Sequence, residues 1–240
     1  MDIPIELWQL VLTHSDFLSQ IRLRCVCKLF YTKLEIHDFY HIDEKYLSSL
    51  TDDILLSYPF IKKLRALGNE NISNINHLTR LEKLNAGISK ICDAGISNLN
   101  LIKMKCSHNQ KITNVNHMSN LKILYASDYS GIDDKGIKNL NLEALYVSRN
   151  PKITDVNHMP NLKILYAADN CGIGDRGIVG INLVELYAVN NPNITDVRHM
   201  TGLKKLSAIE TCGIDDKGIE NLQLEELYSR GNPKITKKLI

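Results

Sequence analysis

Aliphatic residues recur at a fixed period through the last three-quarters of the chain. Units open at Ile61, Leu81, Leu101, Leu121, Leu142, Leu162, Leu183, Leu203 and Leu224, in steps of 20 or 21 residues. From Leu101 onward the two lengths alternate. LEALYVSRNPKITDVNHMPN from Leu142 matches LVELYAVNNPNITDVRHMTG from Leu183, and LKILYASDYSGIDDKGIKNLN from Leu121 matches LKILYAADNCGIGDRGIVGIN from Leu162. The duplicated block is therefore a pair of units, 41 residues long. Each unit begins with apolar and polar positions in alternation, the period of a strand with one buried face. Its two aliphatic residues and a third, smaller residue (Ala, Val, Cys or Ser) are the candidate core. An Asn follows at Asn69, Asn109, Asn150, Asn170, Asn191 and Asn232, where a short amide can satisfy buried turn backbone. In units this short no long helix fits behind the strand. The ITDVNHM stretches predict extended or 3₁₀ backbone, and GIDDKGIKNL predicts one or two helical turns behind its Asp pair.

Residues 1–40 share none of this period. Pro4 suits a first helical turn, with Asp2 ahead of it as a cap. From Ile3 to Leu12 the predicted helix is apolar nearly all round, which demands burial on more than one side. Some 40 residues cannot supply that burial from a core of their own. Solenoid repeats or a partner protein must supply it. Between the two parts, Thr51-Asp52-Asp53 ahead of Ile54-Leu55-Leu56 predicts a capped short helix that ends before Pro59. Residues 41–60 thus form an irregular first repeat that joins the parts.

The nine units, read as L-x-x-L-x-(A/V)-x-x-N, resemble the leucine-rich-repeat family over residues 61–240. The resemblance implies an α/β fold, a solenoid with one curved parallel β-sheet. The N-terminal stretch carries a second resemblance. Ile3-Pro4-Ile5-Glu6-Leu7, Val11-Leu12 and Val26-Cys27-Lys28-Leu29-Phe30 are similar to an F-box, where L-P-x-E is followed by an aliphatic pair and by V-C-(K/R)-x-(W/F). That resemblance implies a small α-helical domain over residues 1–40 that docks on a Skp-family adaptor, and through it on a cullin-type ubiquitin ligase. Pro4, Glu6, Leu7, Val11, Leu12, Val26, Cys27 and Phe30 would carry the contact, and the repeats would hold a protein target. The competing reading is a free-standing leucine-rich-repeat scaffold whose N-terminal helices only cap the solenoid's hydrophobic edge.

Strand positions that alternate with the core residues face solvent. The central one runs Arg65, Asn85, Lys105, Tyr125, Tyr146, Tyr166, Tyr187, Ser207, Tyr228. Parallel strands lie about 4.8 Å apart, so four of these tyrosines form an unbroken row. Tyrosine combines contact area with a polar tip, which suits the centre of an interface. The flanking position adds Lys63, Lys83 and Lys103 at one end and Glu185 and Glu226 at the other, with Glu210 nearby. The expected target-binding residues are Lys63, Arg65, Lys103, Lys105, Tyr125, Tyr146, Tyr166, Tyr187 and Tyr228.

Composition narrows the function classes further. A net charge of +2 in 240 residues argues against nucleic-acid and membrane-surface partners. No apolar run approaches the roughly 20 residues of a membrane span, and MDIPIELWQL lacks the basic start of a signal peptide. The expected location is cytoplasm or nucleus, or host cytoplasm for a viral source. The six cysteines are then expected as thiols, with Cys171 and Cys212 in successive copies of the block and Cys25 and Cys27 on different sides of one helical stretch. His77, His117, His158 and His199 recur once per pair of units, about 10 Å apart. Zinc ligands lie within about 2.3 Å of one ion, so these do not form a site. The pairs Asp133-Asp134 and Asp215-Asp216 belong at helix starts. No nucleotide loop or nucleophile elbow is present. The sequence therefore predicts no enzyme, no cofactor and no metal. Lys237 and Lys238 near the end would blunt the last strand edge.

Overall fold

Every predicted strand forms, three residues long, at the place the period assigns it. The computed structural model describes residues 3–236. The expected cap Asp2 and the edge lysines Lys237 and Lys238 lie outside the described residues. The chain divides into two units at Leu101/Ile102.

The first unit opens with three short helices, α1 (Ile5–Thr13), α2 (Phe17–Arg24) and α3 (Lys28–Lys33). Asp16 caps α2 by accepting from the Ser19 N–H at 3.0 Å, whereas Pro4 precedes α1 with no side-chain cap. Cys25 closes α2 and Cys27, in extended backbone at φ −156°, opens α3. The two cysteines therefore flank a break and do not sit on two sides of one helix, as the sequence had suggested. The apolar α1 is also less buried than its composition demands. Leu12 is buried at 1% exposure, but Leu7, Leu10 and Val11 stay 51%, 55% and 51% exposed.

Strand β1 (Asp38–Phe39) follows, then α4 (Glu44–Leu47), α5 (Asp52–Leu56), β2 (Lys63–Arg65), β3 (Lys83–Asn85) and α6 (Asp93–Ile96). The predicted cap on α5 is present, with Thr51 Oγ1 accepting from the Ile54 N–H at 3.2 Å. Strand β1 pairs parallel with β2, placing Phe39 beside Leu64, and β2 pairs with β3, placing Leu64 beside Leu84. Phe39 is fully buried and meets Phe17 of α2 edge-on at 5.0 Å and Tyr58 at 5.0 Å. The Gln9 side chain grips the backbone of Glu35 twice, donating to its carbonyl at 2.9 Å and accepting from its N–H at 2.8 Å. The helical segment is thus fastened to the first strand by aromatic packing and by a paired amide contact.

The second unit holds β4 (Lys103–Lys105), β5 (Ile123–Tyr125), β6 (Ala144–Tyr146), β7 (Ile164–Tyr166), β8 (Glu185–Tyr187), β9 (Lys205–Ser207) and β10 (Glu226–Tyr228). All pair parallel in sequence order and in unshifted register, so Leu124, Leu145, Leu165, Leu186 and Leu206 form one buried column. The third inward column is equally buried at Ala126, Val147, Ala167, Ala188 and Ala208. Behind the strands the GIDDKG segment makes α7 (Asp134–Ile137) and its counterpart GIGDRG a 3₁₀ turn at Asp175–Gly177, while the ITDVNHM-type segments hold neither helix nor strand and turn at Asn157–His158 and Arg198–His199. In each Asp pair the first residue caps its own turn, as Asp133 does by accepting from Gly136 N–H at 3.0 Å. The second ties the next unit: Asp134 accepts from Thr154 N–H and Oγ1 at 2.8 and 2.6 Å. His158 and His199 each bond a carbonyl of the preceding unit, Ile137 at 3.1 Å and Ile178 at 3.0 Å.

The turn residues explain why the duplicated block is a pair. Asn150 and Asn191 are fully buried. Asn150 donates to the carbonyls of Ala126 and Ile132, which flank the small buried Ser130 of the preceding unit. Asn191 does the same to Ala167 and Ile173, which flank Cys171, and Asn232 to Ala208 and Ile214, which flank Cys212. In each of these pairs the Asn unit closes on the small-residue unit before it. The buried position in the unit from Leu162 is Cys171, while Asn170, expected in the buried turn series, is exposed. The extra residue of the longer units shifts the register there by one.

Candidate interaction surfaces

In the first unit the exposed apolar side chains gather on the N-terminal helices. Leu7, Leu10 and Val11 lie at the i, i+3, i+4 spacing that shares one helical face. Val26, Leu29 and Tyr31, from the α2–α3 break and α3, are 68%, 55% and 55% exposed. Trp8 packs on Phe30 with ring centroids 5.0 Å apart, which fixes α1 against α3. Pro4, Glu6, Leu7, Val11, Val26 and Cys27 are all exposed, Phe30 is half-buried, and Leu12 is in the core. Leu12 therefore supports the helix from within. Leu10 and Leu29 were missed because the motif comparison weights other positions; helical spacing from Leu7 points to Leu10.

Also in this unit, Lys63 pairs with Asp38 at 3.1 Å and Arg65 with Glu44 at 2.8 Å. Burial pushes the Asp38 carboxyl up, but the Tyr40 N–H and Lys63 outweigh it and hold the group below its ordinary range. Both expected target-binding cations thus carry an acidic neighbour.

In the second unit Tyr125, Tyr146, Tyr166 and Tyr187 stack. Successive ring centroids are 3.9, 4.5 and 3.9 Å apart, with interplanar angles of 6°, 23° and 10°. That is closer than the strands beneath them at about 4.8 Å, so the rings lean together. Their facing sides are spent on one another. Lys103 and Lys105 approach Tyr125 at 5.2 and 4.9 Å, within cation–π range. Burial, then the Tyr125 side chain, pushes Tyr146 up to about 12. Burial also raises Tyr187, helped by Tyr166 and by Glu185, whose carboxylate accepts from the Tyr187 hydroxyl at 2.8 Å. Ser207 interrupts the row. Beyond it Tyr228 is 46% exposed, donates to Glu226 at 2.6 Å and lies under Lys205, which pairs with Glu226 at 2.7 Å.

All six cysteines are free, and burial pushes the Cys171 thiol up to about 11. Among the described residues no group of three or more His, Cys, Asp or Glu side chains is placed to hold a metal ion. Among them, too, no helix is long and apolar enough to cross a membrane.

These features define a parallel-strand solenoid with a helical N-terminal module. Residues 1–42 match the F-box domain family. The solved structure of the internalin InlF from Listeria monocytogenes is similar over 81% of this chain and 59% of that one, with 20% identity and a TM-score of 0.50. The functional domain of InlJ from the same organism, which includes a cysteine ladder, is similar over 73% of this chain and 40% of that one, with 18% identity and a TM-score of 0.49. The chain thus spans less than two thirds of either internalin chain. No curated protein matches it. The chain thus joins a segment that matches the F-box domain family to a parallel-strand solenoid of 20- and 21-residue units.

Proposed function

We propose that the protein is a substrate receptor of a Skp–cullin–F-box type ubiquitin ligase. Residues 1–40 dock on a Skp-family adaptor, residues 41–60 form the irregular first repeat, and residues 61–240 hold a protein target. The observation that carries the reading is the cluster of exposed apolar side chains on the F-box helices. Leu7, Leu10, Val11, Val26 and Leu29 are each more than half exposed, and solvent-facing apolar side chains gathered in this way mark interaction sites. The target side would use the tyrosine row with Lys103, Lys105 and Tyr228, together with Lys63 and Arg65. In this role the protein acts by binding and not by catalysis, and it works in the cytoplasm or nucleus.

The capping reading also has an observation in its favour. Phe17 against Phe39 and Gln9 against Glu35 seat the helices on the first strand. The two roles use different side chains of the same helices. Deleting residues 1–40 cannot separate them, because it also removes the core residues Leu34, Ile36 and Phe39. Point substitutions on the exposed side can. A pull-down with purified Skp-family adaptor is expected to retain the wild-type chain and to lose a Pro4→Ala/Leu7→Ala double variant. Equal retention of both, or of neither, would leave only the cap.

A further inference from the structure

The loops after β4 to β9 carry a second row of side chains that strand periodicity does not reveal. In the loops after β4 to β8 one residue each takes left-handed backbone: His108 (φ 58°), Asp128 (59°), Arg149 (60°), Asp169 (58°) and Asn190 (53°). The shared conformation aims their side chains the same way, and they bond in series. His108 Nε2 lies 3.2 Å from Asp128, and Arg149 bridges Asp128 at 3.6 Å and Asp169 at 2.9 Å. Asn190 donates to Asp169 at 3.3 Å and accepts from Thr211 Oγ1 at 3.1 Å. This series lines a groove of about 860 Å³, within the range of about 300–1,000 Å³ typical of ligand sites. It lies at the carboxyl ends of the parallel strands, where open α/β sheets bind their ligands.

Charge and exposure within the groove differ by sign. The Asp128 and Asp169 side chains are only 23% and 30% exposed and both are held by Arg149. The Arg149 side chain, 67% exposed and lining the groove, engages Asp128 through Nη1 and Asp169 through Nε. Lys152 Nζ donates once, to the Ser130 carbonyl at 3.2 Å, and keeps two further N–H groups. A ligand therefore meets cations first. Beside them stands Tyr129, 73% exposed, with the tilted His108 ring 6.1 Å away, and Pro151 lines the same groove.

We propose that this groove binds an extended peptide segment of the target in which an acidic side chain neighbours an apolar one. The carboxylate sits on Arg149 and Lys152, and the apolar side chain packs on Tyr129 and Pro151. From His108 to Thr211 the groove crosses five strand spacings, about 24 Å, which about seven residues of extended chain would fill. The inference rests on the receptor reading only for the source of the peptide.

The full chain, immobilised and panned against a random heptapeptide phage library, tests it. Enriched sequences are expected to carry Asp or Glu within two positions of an aromatic or aliphatic residue. A synthetic fluorescent copy of the leading sequence should lose at least tenfold in affinity with Tyr129→Ala and with Lys152→Glu, and remain unchanged with Val179→Ser, an exposed position outside the groove. Both groove substitutions alter exposed side chains, and circular dichroism of each variant checks that the fold persists. No enriched family, binding indifferent to Tyr129→Ala and Lys152→Glu, or an equal loss with Val179→Ser would each overturn the proposal. Adaptor binding measured on the same preparations reports separately on the receptor reading.

Discussion

Replacing Asn191 with alanine tests the pairing of repeat units directly. The Asn191 side chain is fully buried and makes three backbone hydrogen bonds: to the carbonyls of Ala167 at 2.8 Å and Ile173 at 3.0 Å, and from the N–H of Asn193 at 2.9 Å. Asn191→Ala strands two carbonyls and one N–H. A buried group left unpaired costs about 1–3 kcal/mol, and these three share a site that can relax in part, so the expected loss is about 3–5 kcal/mol. For a chain of this size that corresponds to a fall of roughly 6–20 °C in Tm. Asn170→Ala is the control. By sequence it stands in the same series, yet it is exposed, and its removal should stay within about 0.5 kcal/mol. Thermal and urea unfolding of the full chain, followed by circular dichroism, gives both values. Repeats couple mainly to their neighbours, so amide hydrogen exchange should locate the loss to the units around Cys171 and Asn191. Equal effects at the two positions, or a loss below about 1 kcal/mol at Asn191, would refute the account of why the block is a pair.

Two further outcomes follow from backbone and titration. Ile88 holds left-handed backbone at φ 52° with its side chain 55% exposed, where Gly68 and Gly231 stand in equivalent loops. Left-handed backbone costs an ordinary L-residue about 1–2 kcal/mol, and Asn tolerates it better. Ile88→Asn should therefore raise stability by about 0.5–1 kcal/mol, and a lower unfolding midpoint would show that Ile88 is held for its packing. In the stacked row, Tyr146 is pushed up to about 12 and Tyr187 is raised as well. Folded protein then keeps protons that the unfolded chain gives up near pH 10. The stability from these groups is whole below about pH 10 and falls, by about 1.4 kcal/mol per pH unit for each tyrosine, as pH climbs toward the folded value. A phenolate absorbance titration should resolve late-titrating tyrosines that a Tyr166→Ala variant releases. A single step near pH 10 for all of them would contradict the stack.

Much of this fold can be read from spacing because a solenoid turns once per unit and places equivalent residues side by side. Leu64 beside Leu84 and Tyr125 beside Tyr146 follow from the period alone. Strand β1 did not show because Phe39 and Leu64 are separated by a longer, irregular turn that α4 and α5 fill. Asn170 misled because one inserted residue moves Cys171 into the buried place without disturbing the letter pattern. For α1, a helix apolar on nearly every side holds no record of which side faces inward; packing of Leu12 and Trp8 decides it and leaves Leu7 and Leu10 outside. The loop row from His108 to Asn190 was invisible for another reason. Its members share a backbone conformation and not a residue type.

The receptor reading is most exposed to a calorimetric titration of the full chain with purified Skp-family adaptor, run beside Leu10→Asp and Leu29→Asp variants. Both side chains are 55% exposed, so the substitutions leave the core intact. The wild-type chain is predicted to bind, and each variant to lose at least about tenfold in affinity, about 1.4 kcal/mol, with unchanged unfolding midpoints. No binding by the wild-type chain, or variants that bind as tightly as it does, would contradict the claim that these helices dock an adaptor.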